Sequence, residues 1–284
     1  MAVGAIILMT AIAIWPNDEE PQHPTLWIAA DSRISGVDAV PLLQDGAKIF
    51  SLPIVCRAPG ANGFFSRVSY AHSFGYCFAG STLMGQNAYL ALVPLLGNLV
   101  VRADYVPAMA DVASYVHRYL LHTFDDFKAR VGERAMFEAA IFGYCGRTNR
   151  LTAFHIEPSL DEGIWTLKCF ERADITVGHP FYLGVEKTHM MARFAAAVGS
   201  VAPGRPLSRM PRHVIQDCIS EESFSSIGGD VQLGIADSFG FRAFALVKPR
   251  VYGRPEAYIS YLGRELTPDL MQVGEALVGG PALP

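Results

Sequence analysis

The opening run MAVGAIILMTAIAIW holds one side-chain hydroxyl, that of Thr10, among fifteen residues without a charged side chain. Three chemistries fit it: the apolar part of a secretion signal, a buried strand, or a strand whose Thr10 becomes the first residue of the mature chain. A secretory leader needs a basic start and a small-x-small cleavage site. Here no Lys or Arg precedes Arg33, and Trp15-Pro16 runs into acidic NDEE, so an exported protein with a cleaved leader is the weaker reading. The other reactive side chains suggest less. Five cysteines (Cys56, Cys77, Cys145, Cys169, Cys218) are odd in number, widely spaced and mostly apolar in context, which reads as free thiols in a reducing compartment. No CxxC pair occurs and no zinc-ligand spacing with the histidines, so no metal and no cofactor is expected. His155 in FHIEP and His179 in VGHPF lack a Gly-x-Ser-x-Gly elbow, and are expected to be structural.

The 284 residues, 51% hydrophobic, can fill a substantial core. Charge is nearly balanced, 23 basic against 27 acidic, with no basic block for a phosphate backbone. Nucleic acid is therefore not an expected partner. No run of about 20 apolar residues predicts a membrane span.

Elements able to position Thr10 follow from periodicity. AIAIW, the polar PNDEEPQHP and TLWIAADSR read as a hairpin with an enlarged loop. AKIFSLPIVCR is a strand, APGANGFFSRVSYAHS a loop, and YCFAGS a short buried strand ending at Gly80-Ser81. Leu83 to Leu99 and Val112 to Phe127 recur at helical spacing, with a break near RADYVP. A second hairpin spans MFEAAIFGYCGRTNRLTAFHIEP, and GIWTLKCF adds a strand. Helices are predicted over 187–198 and 209–221, separated by the breaker APGRP, then a third hairpin GGDVQLGIADSFGFRAFALV and a last edge strand PEAYISYLG. Strands, helices, strands, helices and strands, each sheet hiding one face, predict an α+β chain folded as a four-layer α-β-β-α sandwich.

Several of these segments, in this order, resemble the proteasome β-type family of N-terminal-nucleophile (Ntn) hydrolases: MTAIAI, AADSRISG, KIF, FAGS before a helix, AIFGYCGRTNRLTAFHIEPS and GGDVQLGIA. PFYLGVEKTH is more similar to the bacterial Anbu-type homologues, which carry Gly-Glu-x-Lys there; Gly184 and Lys187 match in register. The resemblance covers residues 9 to about 240. It implies a single Ntn-hydrolase domain over 10–284, with 1–9 a propeptide or a mis-assigned start.

What the resemblance implies for chemistry is residue-specific. Thr10 would be the nucleophile, activated by its own α-amine, whose pKa near ~8 suits a base at neutral pH. That amine is free only if the chain begins at Thr10. Lys48 would favour the developing alkoxide, Asp31 would hold Lys48 charged, and Arg33, on the same strand face, would brace the pair. Gly80 would present its N–H to an oxyanion while Ser81 caps the following helix. Each has a plainer alternative: a β-branched strand residue, an exposed lysine, a strand end entering a turn, a helix start.

Three departures from the family stand out. About eighteen extra residues lie between Lys48 and Gly80, and Val185-Glu186 occupy the usual Ser-Gly positions. The second Asp and Ser of the family have no clean counterpart in SEESFSSIGGD. The function implied is a cytoplasmic threonine-type peptidase acting on peptides or unfolded protein, with a non-catalytic scaffold subunit as the alternative. Leu92, Leu95, Leu96 and Leu99 exceed one buried face, which predicts a homo-oligomer; the family suggests a ring or helical stack, and an ATP-dependent unfoldase as a possible partner.

Overall fold

Strand outweighs helix, 42% against 26%, so sheets set the frame of this mixed α/β chain. The structure is a computed structural model, and describes residues 10–17, 19–36, 39–176, 178–201, 207–249 and 256–283. Residues 1–9 and the breaker 202–206 lie outside them.

The first strand, β1 (Ala11–Asn17), pairs antiparallel with β2 (Thr25–Asp31) in the register Ile12↔Ala30 to Asn17↔Thr25. A two-residue β3 (Ile34–Ser35) pairs with β4 (Pro41–Leu43). Then come β5 (Ile49–Ala58) and β6 (Arg67–Gly80), α1 (Thr82–Leu96), β7 (Leu99–Val100) and α2 (Met109–Val131). The strands β8 (Phe137–Cys145), β9 (Arg150–Asp161), β10 (Ile164–Arg172) and β11 (Phe181–Gly184) lead to α3 (Lys187–Ser200) and α4 (Met210–Ser220). The chain closes with β12 (Val231–Asp237), β13 (Gly240–Lys248), β14 (Tyr258–Tyr261), β15 (Arg264–Glu265), β16 (Gln272–Val273), β17 (Ala276–Leu277) and β18 (Ala282–Leu283).

Two large sheets result. One runs β11-β1-β2-β12-β13-β14-β15 with β18 beside β13; the other runs β10-β9-β8-β6-β5-β7. Strand β1 lies between β11 and β2 with both faces covered, which explains why its sequence is a continuous apolar run rather than an alternating one. Its two faces still differ. Ile12 and Ile14 join Ile28, Cys77, Ala140, Phe142 and Phe241 in a cluster between the sheets. Ala11, Ala13 and Trp15 join Met190, Phe194, Val214 and Ile215 of α3 and α4. A third cluster packs α1 and α2 on the second sheet through Leu92, Leu96, Val116, Leu120 and Phe124 against Phe74, Phe78 and Ile141.

The structure corrects three local expectations. The segment from Arg67 to Ser73 is not loop: β6 extends over fourteen residues because its backbone pairs with β5 as far as Ala58↔Arg67. Polar side chains there hid a strand whose stability comes from ladder bonds and from Phe74 in the core. Leu99 is not helical, since α1 ends at Leu96 with Gly97 as its C-cap, and Leu99 pairs parallel with Cys56. The strand at Tyr258–Tyr261 is not the last, because β15 pairs outside it.

Candidate functional site

Asp31 ends β2 with its side chain fully buried, and both carboxylate oxygens are occupied. Oδ1 accepts the Ala11 N–H at 2.9 Å and the Lys48 ammonium at 2.8 Å. Oδ2 accepts the main-chain N–H of Gly228 at 3.1 Å and of Arg33 at 3.2 Å. A carboxylate surrendered by water needs this many donors to remain charged. Thr10 immediately precedes the Ala11 amide, and its side chain is buried. The alternation of β1, carried back one residue, sets Thr10 on the inter-sheet side with Ile12 and Ile14.

Lys48 enters from the other sheet, one residue before β5, and is only 2% exposed. Burial pulls its pKa below the ordinary lysine value, opposed by the charge and hydrogen bond of Asp31. The approach to Lys48 is fixed by Gln232 of β12, whose Oε1 accepts the Lys48 N–H at 3.1 Å and whose Nε2 donates to Gly46 O at 2.7 Å. Thr10, Asp31 and Lys48 are thus brought together at the end of β1 and β2.

Arg33 lies beyond the end of β2, so it does not share a strand face with Asp31. Its guanidinium donates to Gln44 Oε1 at 3.0 Å and to the carbonyls of Ser225 at 2.9 Å and Ile227 at 3.2 Å. Those last two carbonyls precede Gly228, so Arg33 steadies the loop that delivers the Gly228 N–H to Asp31.

Gly80 ends β6 at φ +97°, a region that favours glycine, and pairs with Phe137. Ser81 caps α1, its hydroxyl accepting the Met84 N–H at 3.5 Å. Gly80 is tied to the Thr10 group by way of β8, because Glu138, next to Phe137, accepts the Gly184 N–H at 2.6 Å. Gly184 stands opposite Ala11, and the Val185 N–H donates to Thr10 O at 3.0 Å.

Gly184 has φ +121°, and a Cβ built there would lie 1.8 Å from the Thr10 carbonyl oxygen. No movement of a side chain relieves that overlap. Gly184→Ala should lower unfolding free energy by at least about 2 kcal/mol, read from the urea midpoint, and should displace Thr10. An unshifted midpoint would show that β1 and β11 are looser than this geometry.

Sequence reasoning missed Glu138. It is a buried carboxylate in the otherwise apolar MFEAAIF, and that single charged residue in a core strand was the available signal. Its Oε2 receives Lys187 Nζ and His155 Nε2, each at 2.9 Å. Burial pushes its carboxyl up, but the His155 hydrogen bond and the Lys187 charge outweigh this and hold it below the usual carboxylate range. His155 Nδ1 lies 3.3 Å from Glu157 Oε2 without a hydrogen bond. Glu138, His155 and Glu157 form a possible cation cluster by distance. The two imidazole nitrogens face different carboxylates, however, and the Lys187 ammonium already neutralises Glu138 Oε2, so the set does not fit one metal ion.

None of the five cysteines is paired, and burial pushes the Cys77 thiol well up, away from reactivity. Among the described residues no helix is long and apolar enough to cross a membrane.

No protein-family model matches the chain, and no curated protein does. Among solved structures it is similar to Anbu (ancestral beta-subunit) from Yersinia bercovieri, at 17% identity and a TM-score of 0.48 over 80% of this chain and 82% of that one.

Proposed function

We propose that this chain is a proteasome-like Ntn hydrolase, a four-layer α-β-β-α sandwich that cleaves peptide or amide bonds with Thr10 as nucleophile. The observation that carries the reading is the buried Asp31 carboxylate, which receives the amide next to Thr10 and the Lys48 ammonium on one oxygen. An ammonium placed there favours an alkoxide, and a free α-amine on Thr10 would take the hydroxyl proton and return it to the leaving amine. Acylation then gives an ester on Thr10, which water hydrolyses. Gly80 would offer its N–H to the tetrahedral oxyanion. Three separate apolar clusters, one between the sheets and one under each helix pair, support the layered reading.

Association is proposed as a homo-oligomer. The expected helix α1 supplies exposed leucines, but they are Leu83, Leu90 and Leu95, whereas Leu92 and Leu96 are core. Leu83 and Leu90, seven residues apart, share one face of α1, and exposed leucines there suit contact with further copies.

The test is a chain produced to begin at Thr10, beside one that retains residues 1–9, each given a panel of fluorogenic peptide amides. The trimmed chain is expected to turn over substrate and to carry a transient acyl adduct on Thr10 by intact mass; the longer chain is expected to do neither. A trimmed, folded chain that yields no adduct would leave the scaffold reading in its place.

A further inference from the structure

We propose that Glu138 is a positioning residue for Thr10: its buried carboxylate, spanning the two sheets, holds the end of β11 in the place that fixes the Thr10 carbonyl. The inference rests on the hydrolase reading for its kinetic readout, though not for its structural one.

The chain of contacts is short. Glu138 lies on the second sheet, and its neighbours Ala140 and Phe142 on the same strand face belong to the cluster between the sheets. Its Oε1 crosses to the first sheet and accepts the Gly184 N–H at 2.6 Å. The next amide, Val185 N–H, donates to Thr10 O. One carboxylate oxygen therefore sets the β11 end against β1 at the residue that would do the chemistry. The second oxygen is held from two directions, by Lys187 at the start of α3 and by His155 of β9.

A backbone carbonyl could satisfy the Gly184 N–H without burying a charge. A carboxylate adds what a carbonyl cannot, because it is gripped by three donors from three elements and so cannot swing away with any one of them. Reacting groups misplaced by about 1 Å lose roughly 10²-fold in rate, which is the scale on which such a grip matters.

Glu138→Gln separates charge from shape. The amide is isosteric, yet it has one acceptor for three donors: either its NH₂ faces Lys187 and His155, or it faces the Gly184 N–H. In the chain beginning at Thr10, kcat is expected to fall by roughly 10²-fold with KM changed less than about twofold. The amide of Val185 is expected to exchange with solvent at least about tenfold faster, while amides of β12 keep their protection. Equal loss in kcat and KM, or unchanged kcat with unchanged Val185 exchange, would overturn the proposal.

Should Glu138→Gln not fold, Lys187→Met decides instead, since Lys187 is 46% exposed and its loss removes one donor. It should shift kcat and Val185 exchange in the same directions by smaller factors, and Lys187→Arg should restore both; no change in either sinks the idea. If the unsubstituted trimmed chain cleaves nothing, the hydrolase reading fails by itself, and the exchange of Val185 alone supports or overturns the role of Glu138.

Discussion

A chain that begins at Thr10 is expected to lose amide hydrolysis by roughly 10⁴-fold or more when Thr10 becomes alanine, the scale on which enzymes lose a covalent nucleophile. The argument is one of place. The Ala11 amide donates to Asp31 and the Thr10 carbonyl accepts from Val185, so removing the hydroxyl leaves the main chain of β1 held as before. The fold should be retained, checked by circular dichroism, so that the lost activity can be assigned to the missing oxygen. Thr10→Ser keeps both hydroxyl and amine and should keep measurable turnover and the acyl adduct. Hydrolysis that survives Thr10→Ala at the unsubstituted rate would move the chemistry elsewhere in the molecule.

The second large effect is on stability. Asp31→Ala should lower the unfolding free energy by about 3–5 kcal/mol at neutral pH, the usual loss when one partner of a buried ion pair is removed. It leaves the Lys48 ammonium without its counter-charge and the Ala11 and Gly228 amides without an acceptor. The sign of the pH dependence separates those two causes. Burial already lowers the Lys48 pKa, and without Asp31 it falls further, so above that value the folded chain binds fewer protons than the unfolded one. Stability of the variant should then rise with pH until the unfolded lysine also titrates, near ~10.4. Urea titrations across that range would show it. A loss that stays constant with pH would mean that unsatisfied amides, and not charge, dominate. The double variant Asp31→Ala with Lys48→Met should recover part of the stability, as expected when two removed partners were in contact.

Much of this was legible in the sequence because it depends on local pattern. The hairpins around Asn17 and Gly146, both helix pairs and the apolar character of β1 follow from periodicity and turn residues. Thr10, Asp31 and Lys48 were found by resemblance in motif order, and the structure brings them to one point. What the sequence hid depends on pairing across long separations. The outer half of β6 reads as loop because it is polar, and only the ladder with β5 makes that half a strand. Gln232 reads as one polar residue in a strand, whereas its carboxamide fixes the chain just before Lys48. Glu138 gives a faint signal for the same reason: its three donors come from Gly184, Lys187 and His155, none of them near it in sequence.

Asp31 also says something about time. Its donors are Ala11, Arg33, Lys48 and Gly228, and the last of these lies 197 residues along the chain from it. Contacts of such separation close late, since the entropy of the intervening loop must be lost before they form. β1 and β2 are synthesised well before β12 and the Gly228 loop, so Asp31 waits for both. The carboxylate is complete only when the C-terminal third has docked. Folding itself therefore keeps the Asp31 arrangement from existing in a half-made chain.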